Sequence, residues 1–247
     1  MPRELLILWL TYGRFADMEL WMTKKNGQHR YDDRLRRHIQ GNLNTFDYKL
    51  HDTGALRQAA VAITVVQVDH SSYQEDISSV PVAPQDAAVV LTRRSSHLKH
   101  HAGQWALPGG RLDQGETPQQ TALRELAEEV RLRVAQDCIL GRLDDFTTRS
   151  GFVITPFVVW GGISVDLRAN PGEVRSIHRI PIQELLRPDA PILDDVPQSK
   201  NPVLYMPVGH SWIASPTAAL LYQFREVALL GNTTRVAHYE QPMFAWR

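Results

Sequence analysis

The sequence predicts an α/β fold built on a mixed sheet, and three observations carry that reading. Apolar β-branched runs of strand length recur along the chain, helical segments fall between them, and one helix start is spelled out residue by residue. Residues 31–45 place Leu35, Ile39 and Leu43 four apart, which predicts a helix on the outside of the fold. Residues 59–68 form a nearly unbroken run of Ala, Val, Ile and Thr, the signature of a buried strand. After a polar connection over 69–85, residues 87–92 repeat that pattern. A basic loop follows, then a short strand over 105–107 and a turn at Pro108-Gly109-Gly110. Further strands are predicted over 152–160 and 174–180, a short helix over 182–186 and a longer one over 215–230. Pro216 suits the first turn of that last helix.

Composition narrows the possibilities. With 247 residues, 43% hydrophobic and 22% charged, the chain is long enough for a full core and is not of a disordered type. Basic and acidic residues both number 27, so no global field draws it to nucleic acid or to an anionic membrane. The single cysteine, Cys138, can form neither an internal disulfide nor a zinc ribbon, which fits a reducing cytoplasm. The apolar run from Leu5 to Leu10 is too short to span a bilayer. It has no basic leader or small-residue cleavage site, and a start at Met18 or Met22 is an alternative.

The chemistry concentrates on one segment. Thr117-Pro118-Gln119-Gln120 reads as a helix start: Thr117 caps, Pro118 takes the first helical position, and Gln120 completes a capping box. Nothing breaks the helix before Arg131. Glu125, Glu128 and Glu129 then stand at i, i+3 and i+4, so three carboxylates share a face, with Leu126 and Val130 as an adjoining apolar stripe. Taken alone this is an ordinary solvated acidic surface, with Arg124 and Arg131 as routine partners of Glu128. The preceding glycine loop, Gly109, Gly110 and Gly115-Glu116, changes the weighing. A backbone carbonyl from a tight glycine turn plus helical carboxylates supplies the oxygen ligands that Mg²⁺ prefers.

This spacing resembles the Nudix box, Gly-x5-Glu-x7-Arg-Glu-U-x-Glu-Glu-x-Gly-U with U aliphatic. Gly110, Glu116, Arg124, Glu125, Leu126, Glu128, Glu129 and Leu132 all match. Arg131 stands where the pattern has its second glycine, a place where a left-handed backbone costs a non-glycine residue on the order of 1 kcal/mol. The resemblance implies a Nudix fold: a mixed sheet sandwiched between helices, with added N- and C-terminal helical segments. It implies metal ligation by Glu125, Glu128 and Glu129 with Gly110, the cation being Mg²⁺ or Mn²⁺. It also implies an ion pair of Glu116 with Arg124 that ties loop to helix. The base is a helical acid or one from a later loop, since members differ.

Upstream, Thr92, Arg94, Ser95, Gly103 and Pro108-Gly109-Gly110 resemble the extra signature of the coenzyme A pyrophosphatase branch. Val90, Lys99 and Leu107 are replacements of similar character. Lys99 in place of arginine keeps charge and loses bidentate geometry. Thr148-Arg149-Ser150-Gly151-Phe152 resembles the branch's serine-glycine-phenylalanine stretch. Asn170-Pro171-Gly172-Glu173-Val174 resembles the loop that brings in a further acid, so Glu173 is a metal ligand, a base, or an ordinary strand-start glutamate. Arg94, Ser95, Lys99, Gly109, Gly110, Ser150 and Gly151 are thereby the expected substrate contacts. His97, His100 and His101 add to the basic loop, mostly as neutral side chains.

The implied reaction is hydrolysis of coenzyme A or an acyl derivative to 3′,5′-ADP and (acyl-)4′-phosphopantetheine. The rivals are a Nudix enzyme for another nucleoside diphosphate derivative, such as ADP-ribose or a dinucleotide, and a non-catalytic ligand-sensing domain. The expected organisation is a helical extension over 1–54, the catalytic domain over 55–230 and a tail over 231–247. The expected partner is a small coenzyme A-like molecule; homodimerisation fits too, and neither nucleic acid nor membrane is expected.

Overall fold

The computed structural model describes residues 29–68, 82–98, 101–163, 165–197 and 199–243. Lys99 and His100, most of the 69–85 connection and both chain ends lie outside the described residues. Helix α1 (Asp33–Thr45) is capped by the Asp32 carboxylate, which accepts from Leu35 N at 2.9 Å, and it buries Leu35, Ile39 and Leu43. Among the described residues, eight strands build the main sheet: β1 (Arg57–Gln67), β2 (Ala87–Arg94), β3 (Trp105–Ala106), β4 (Gly109–Arg111), β5 (Ile139–Arg142), β6 (Phe146–Thr147), β7 (Phe152–Gly162) and β8 (Val174–Pro181). Between β4 and β5 lies helix α2 (Pro118–Val130). The sheet is mixed: β1 and β7 run parallel, and the other pairs are antiparallel.

The sheet divides where the site forms. Strand β1 pairs with β2 only from Val65 to Gln67, whereas Ala59 to Val61 pair with β4 instead. The other end of β2 pairs with β3 on one side and β8 on the other. One arm thus carries β2, β3 and β8, the other β1, β4 and β7, with residues 107–108 crossing between them. Helix α2 packs Ala122, Leu126 and Val130 on Ala60, Ala62, Val66 and Val90. Alanines at 60 and 62 let the helix lie close to β1. The opposite face of the sheet joins a larger core that includes α1 and the carboxyl-terminal helix α4 (Thr217–Gln223), which continues as a π-helical stretch through Leu229. Val236 enters the same core.

Several elements differ from the sequence reading. Pro108-Gly109-Gly110 is not a simple turn, because Gly109–Arg111 is a strand in register with Ala59 to Val61. Neither glycine has a left-handed backbone; what each supplies is room. A side chain at Gly109 would stand 2.5 Å from the Ala60 carbonyl, and one at Gly110 would overlap the Glu125 carboxylate. Strands β5 and β6 are unanticipated, being short and flanked by polar residues. So is a second sheet of β9 (Ile192–Asp194), β10 (Val203–Val208) and β11 (Ser211–Ala214). The short helix after β8, α3, spans Ile182–Leu185 as expected. No helix among the described residues is long and apolar enough to cross a membrane.

Candidate active site

Helix α2 begins as its sequence dictates. The Thr117 hydroxyl accepts from Gln120 N at 3.3 Å, the Gln120 side chain accepts from Thr117 N at 2.9 Å, and Pro118 opens the first turn. In front of it, Glu116 takes two bonds from Arg124: Nε to Oε1 at 2.8 Å and Nη2 to Oε2 at 3.0 Å. Thr121 Oγ1 donates to the same carboxylate at 2.7 Å, as does Asp113 N at 3.1 Å. The Arg124 bonds, helped by Thr121 and Asp113, hold the Glu116 carboxyl down to about 2. Arg124 also reaches Glu125 at 2.9 Å, Glu128 at 3.1 Å and the Arg111 carbonyl at 3.1 Å. The resemblance to the Nudix box implied the Glu116–Arg124 pair; Thr121 and the Arg111 carbonyl carried no signal outside the fold.

The far end of the helix is built differently. Arg131 caps it with φ of 62°, the left-handed conformation expected at this position. The last carbonyls of α2 are taken by a later loop: Asn170 N donates to Glu129 O at 2.9 Å and Arg168 N to Val130 O at 3.0 Å. That docking carries Glu173 to the helix. Oxygens of Glu125, Glu129 and Glu173 lie within 4.8 Å of one another. Glu173 is also fixed from the other arm, since its carbonyl accepts from Ser95 N at 2.8 Å. A bulge in the β2–β8 register at Arg93/Arg94 brings Arg94 opposite Val174.

Glu129 is the most buried of the three, at 4% exposure, and its Oε2 has no hydrogen-bond partner among the described residues. Burial, reinforced by the Glu125 charge, pushes its carboxyl up to about 8, against the pull of Arg94 and the Gly109 N–H. Burial likewise raises Glu125, with Arg124 opposing it. Three crowded carboxylates, one with an orphan oxygen, form a donor set suited to a hard divalent cation, which would relieve both the repulsion and the missing bond. Gly110 leaves the space that Glu125 occupies.

The remaining expected residues divide. Glu128 stands beside this cluster with its side chain 55% exposed, bonded to Arg124. Arg94 reaches the cluster electrostatically, and its buried Nε has no partner among the described residues. Ser95 is buried, its hydroxyl accepting from His97 N at 3.4 Å. His101 pairs with Gln104 at 3.2 Å. Ser150 and Gly151 lie on the other arm, in the turn before Phe152, where the Ser150 carbonyl accepts from Arg57 Nη2 at 2.7 Å. Thr155, three residues past Phe152, lies across β1 from Gly110.

A model of the NUDIX domain matches residues 73–199, about half of the chain. The chain belongs to the Nudix family. A Nudix hydrolase named NudL from Yersinia enterocolitica is 40% identical over 107 residues, covering 43% of this chain and 55% of that protein. Nudix hydrolase 3 of Caenorhabditis elegans is 40% identical over 116 residues, covering 44% and 48%. This Nudix chain therefore spans about half the length of the curated relatives it matches. Among solved structures, a MutT/nudix family protein from Enterococcus faecalis aligns with a TM-score of 0.45 at 16% identity, covering 69% of this chain and 61% of that one.

Proposed function

We propose that this Nudix chain hydrolyses a diphosphate linkage with a divalent cation, Mg²⁺ or Mn²⁺, and that its substrate is coenzyme A or an acyl derivative. The observation that carries the hydrolytic part is the crowded Glu125–Glu129–Glu173 cluster beside Gly110, with the orphan oxygen of Glu129 at its buried end. Glu125, Glu129 and the Gly110 carbonyl would hold the cation, with Glu128 on the solvent side. The chemistry gained on metal binding is neutralisation of charge on the phosphoryl oxygens and a more acidic water.

The chain's own residues do the rest. Arg124 orients Glu125 and Glu128, and is itself clamped by Glu116. Glu173, exposed on its loop, is assigned as acceptor of the proton from the attacking water. Arg94 is assigned to a phosphate oxygen of the diphosphate, for which a guanidinium with an unused donor is well suited. Support for coenzyme A comes from the signature around Thr92, Arg94, Ser95 and Gly103. The products would be 3′,5′-ADP and (acyl-)4′-phosphopantetheine.

Incubating the chain with coenzyme A, ADP-ribose and diadenosine substrates across a titration of Mg²⁺ and Mn²⁺ tests this. Chromatography should show 3′,5′-ADP from coenzyme A as the favoured product. Cleavage of ADP-ribose or a dinucleotide without 3′,5′-ADP release would remove coenzyme A, and no cleavage of any of them would remove the enzyme assignment.

A further inference from the structure

A second polar group lies on the opposite face of the sheet from the carboxylates. Arg57 and Arg111 both lie against the ring of Phe152, their guanidinium carbons 3.9 Å and 5.1 Å from its centroid. The register explains the convergence: Arg57 is paired with Phe152, Arg111 with Ala59, and these positions share one face. Neither arginine has a carboxylate partner among the described residues, and both are exposed. Arg124 provides the contrast, with its donors taken by three glutamates and a carbonyl.

Two uncompensated guanidiniums held on one rigid ring are an anion site in waiting. Their ring stacking and the Arg57 bond to the Ser150 carbonyl limit the rotamers that would otherwise be lost on binding. The position is informative as well. Arg111 follows Gly110 directly, β4 is paired among the described residues only with β1, and the Arg111 carbonyl is bonded to Arg124. A ligand passing over this strand at the divided end of the sheet would meet the carboxylates on one side and the two arginines on the other.

We infer that Arg57 and Arg111 form a subsite for a phosphomonoester carried on the nucleoside side of the substrate, separate from the diphosphate that is cut. This rests on the diphosphate reading above and adds to it the origin of selectivity. Ser150 and Gly151 take part by shaping the turn that holds Arg57 against Phe152.

Calorimetric titration of the full chain with 3′,5′-ADP, AMP and inorganic phosphate tests the subsite without needing turnover. The wild type should bind 3′,5′-ADP about tenfold more tightly than AMP, as expected for one charge-assisted phosphate contact. The Arg57→Gln/Arg111→Gln double variant should lose that preference, and the corresponding double lysine variant should recover part of it. In parallel, the kcat/KM ratio of coenzyme A to dephospho-coenzyme A should fall towards one in the glutamine variant, chiefly through KM. No preference in the wild type, or the same preference in the double glutamine variant, would overturn the inference. So would inorganic phosphate binding as tightly as 3′,5′-ADP through the same arginines, which would mark a free-anion site. If no diphosphate is cleaved at all, the hydrolase reading fails while the titration still decides the subsite.

Discussion

Glu116 and Glu129 flank the same helix, and their surroundings are opposite. Glu116 precedes the positive end of α2 and receives two bonds from Arg124, one from Thr121 and one from a backbone N–H. Glu129 sits in the last turn, near the negative end, buried against Glu125 with an oxygen left without a partner among the described residues. One carboxyl is held at about 2 and the other is pushed to about 8. The difference separates a charge that holds the fold together from one that the fold leaves in need of a partner. A buried carboxylate of the second kind is unfavourable on its own, which is the ground for proposing a cation there.

Replacing each end's key residue should separate those two roles. Glu129→Gln should lower turnover most, by roughly two to three orders of magnitude, because it removes charge from the buried end of the proposed cation site. Steady-state rates across a Mg²⁺ titration measure it; an undiminished rate would remove Glu129 from the site. Glu128→Gln, at the exposed position, should cost less than Glu129→Gln in the same assay.

Arg124→Ala acts on the other end. It strands Glu116 and frees Glu125, and should destabilise the chain by about 2 kcal/mol, read as a lower denaturation midpoint. An unchanged midpoint would mean that the Glu116 clamp contributes nothing to the fold.

The pH dependence of metal-free stability sharpens the contrast, because the two contributions have opposite signs. Glu129 has its folded pKa raised, so its contribution is most favourable below the unfolded value near 4.5 and is lost as pH rises through about 8. Glu116 has its folded pKa depressed, so its contribution is present above about 4.5 and is lost as pH falls towards about 2. Thermal melts in chelator should therefore show the Glu129→Gln variant gaining on the wild type as pH rises from 4.5 to 8. Adding Mg²⁺ should shrink that gap. A gap that does not change with pH would contradict the assigned burial of Glu129.

The smallest effect is expected at the cap. Arg131→Gly relieves a left-handed backbone at the end of α2 and should stabilise by about 0.5–1 kcal/mol, partly offset by the freer unfolded chain. Melting temperature is the readout, and a loss of stability would mean that the arginine side chain makes a compensating contact.

Local patterns were legible in the sequence wherever a residue's partner lies within about one helical turn or one motif. The Thr117–Gln120 capping box and the buried stripe of Leu126 and Val130 follow from neighbouring residues, and the left-handed Arg131 from its place at the second glycine of the Nudix pattern. The β-branched runs of β1, β2 and β7 were legible for the same reason, since continuous apolar stretches must be buried. The second sheet was not, because β9 to β11 are short and carry no clear alternation.

The sequence by itself determined that three glutamates share a face of one helix and that Gly109 and Gly110 precede them, and its resemblance to the Nudix box implied the pairing of Arg124 with Glu116. Only the tertiary structure decided which carboxylates converge. Glu173 joins Glu125 and Glu129 because the 168–173 loop supplies donors for the orphan carbonyls at the end of α2, whereas Glu128 is left at the surface. The glycines, read as a turn, proved to be a strand whose lack of side chains makes room for Glu125. Burial and close approach depend on residues distant in the chain, and no local pattern encodes them.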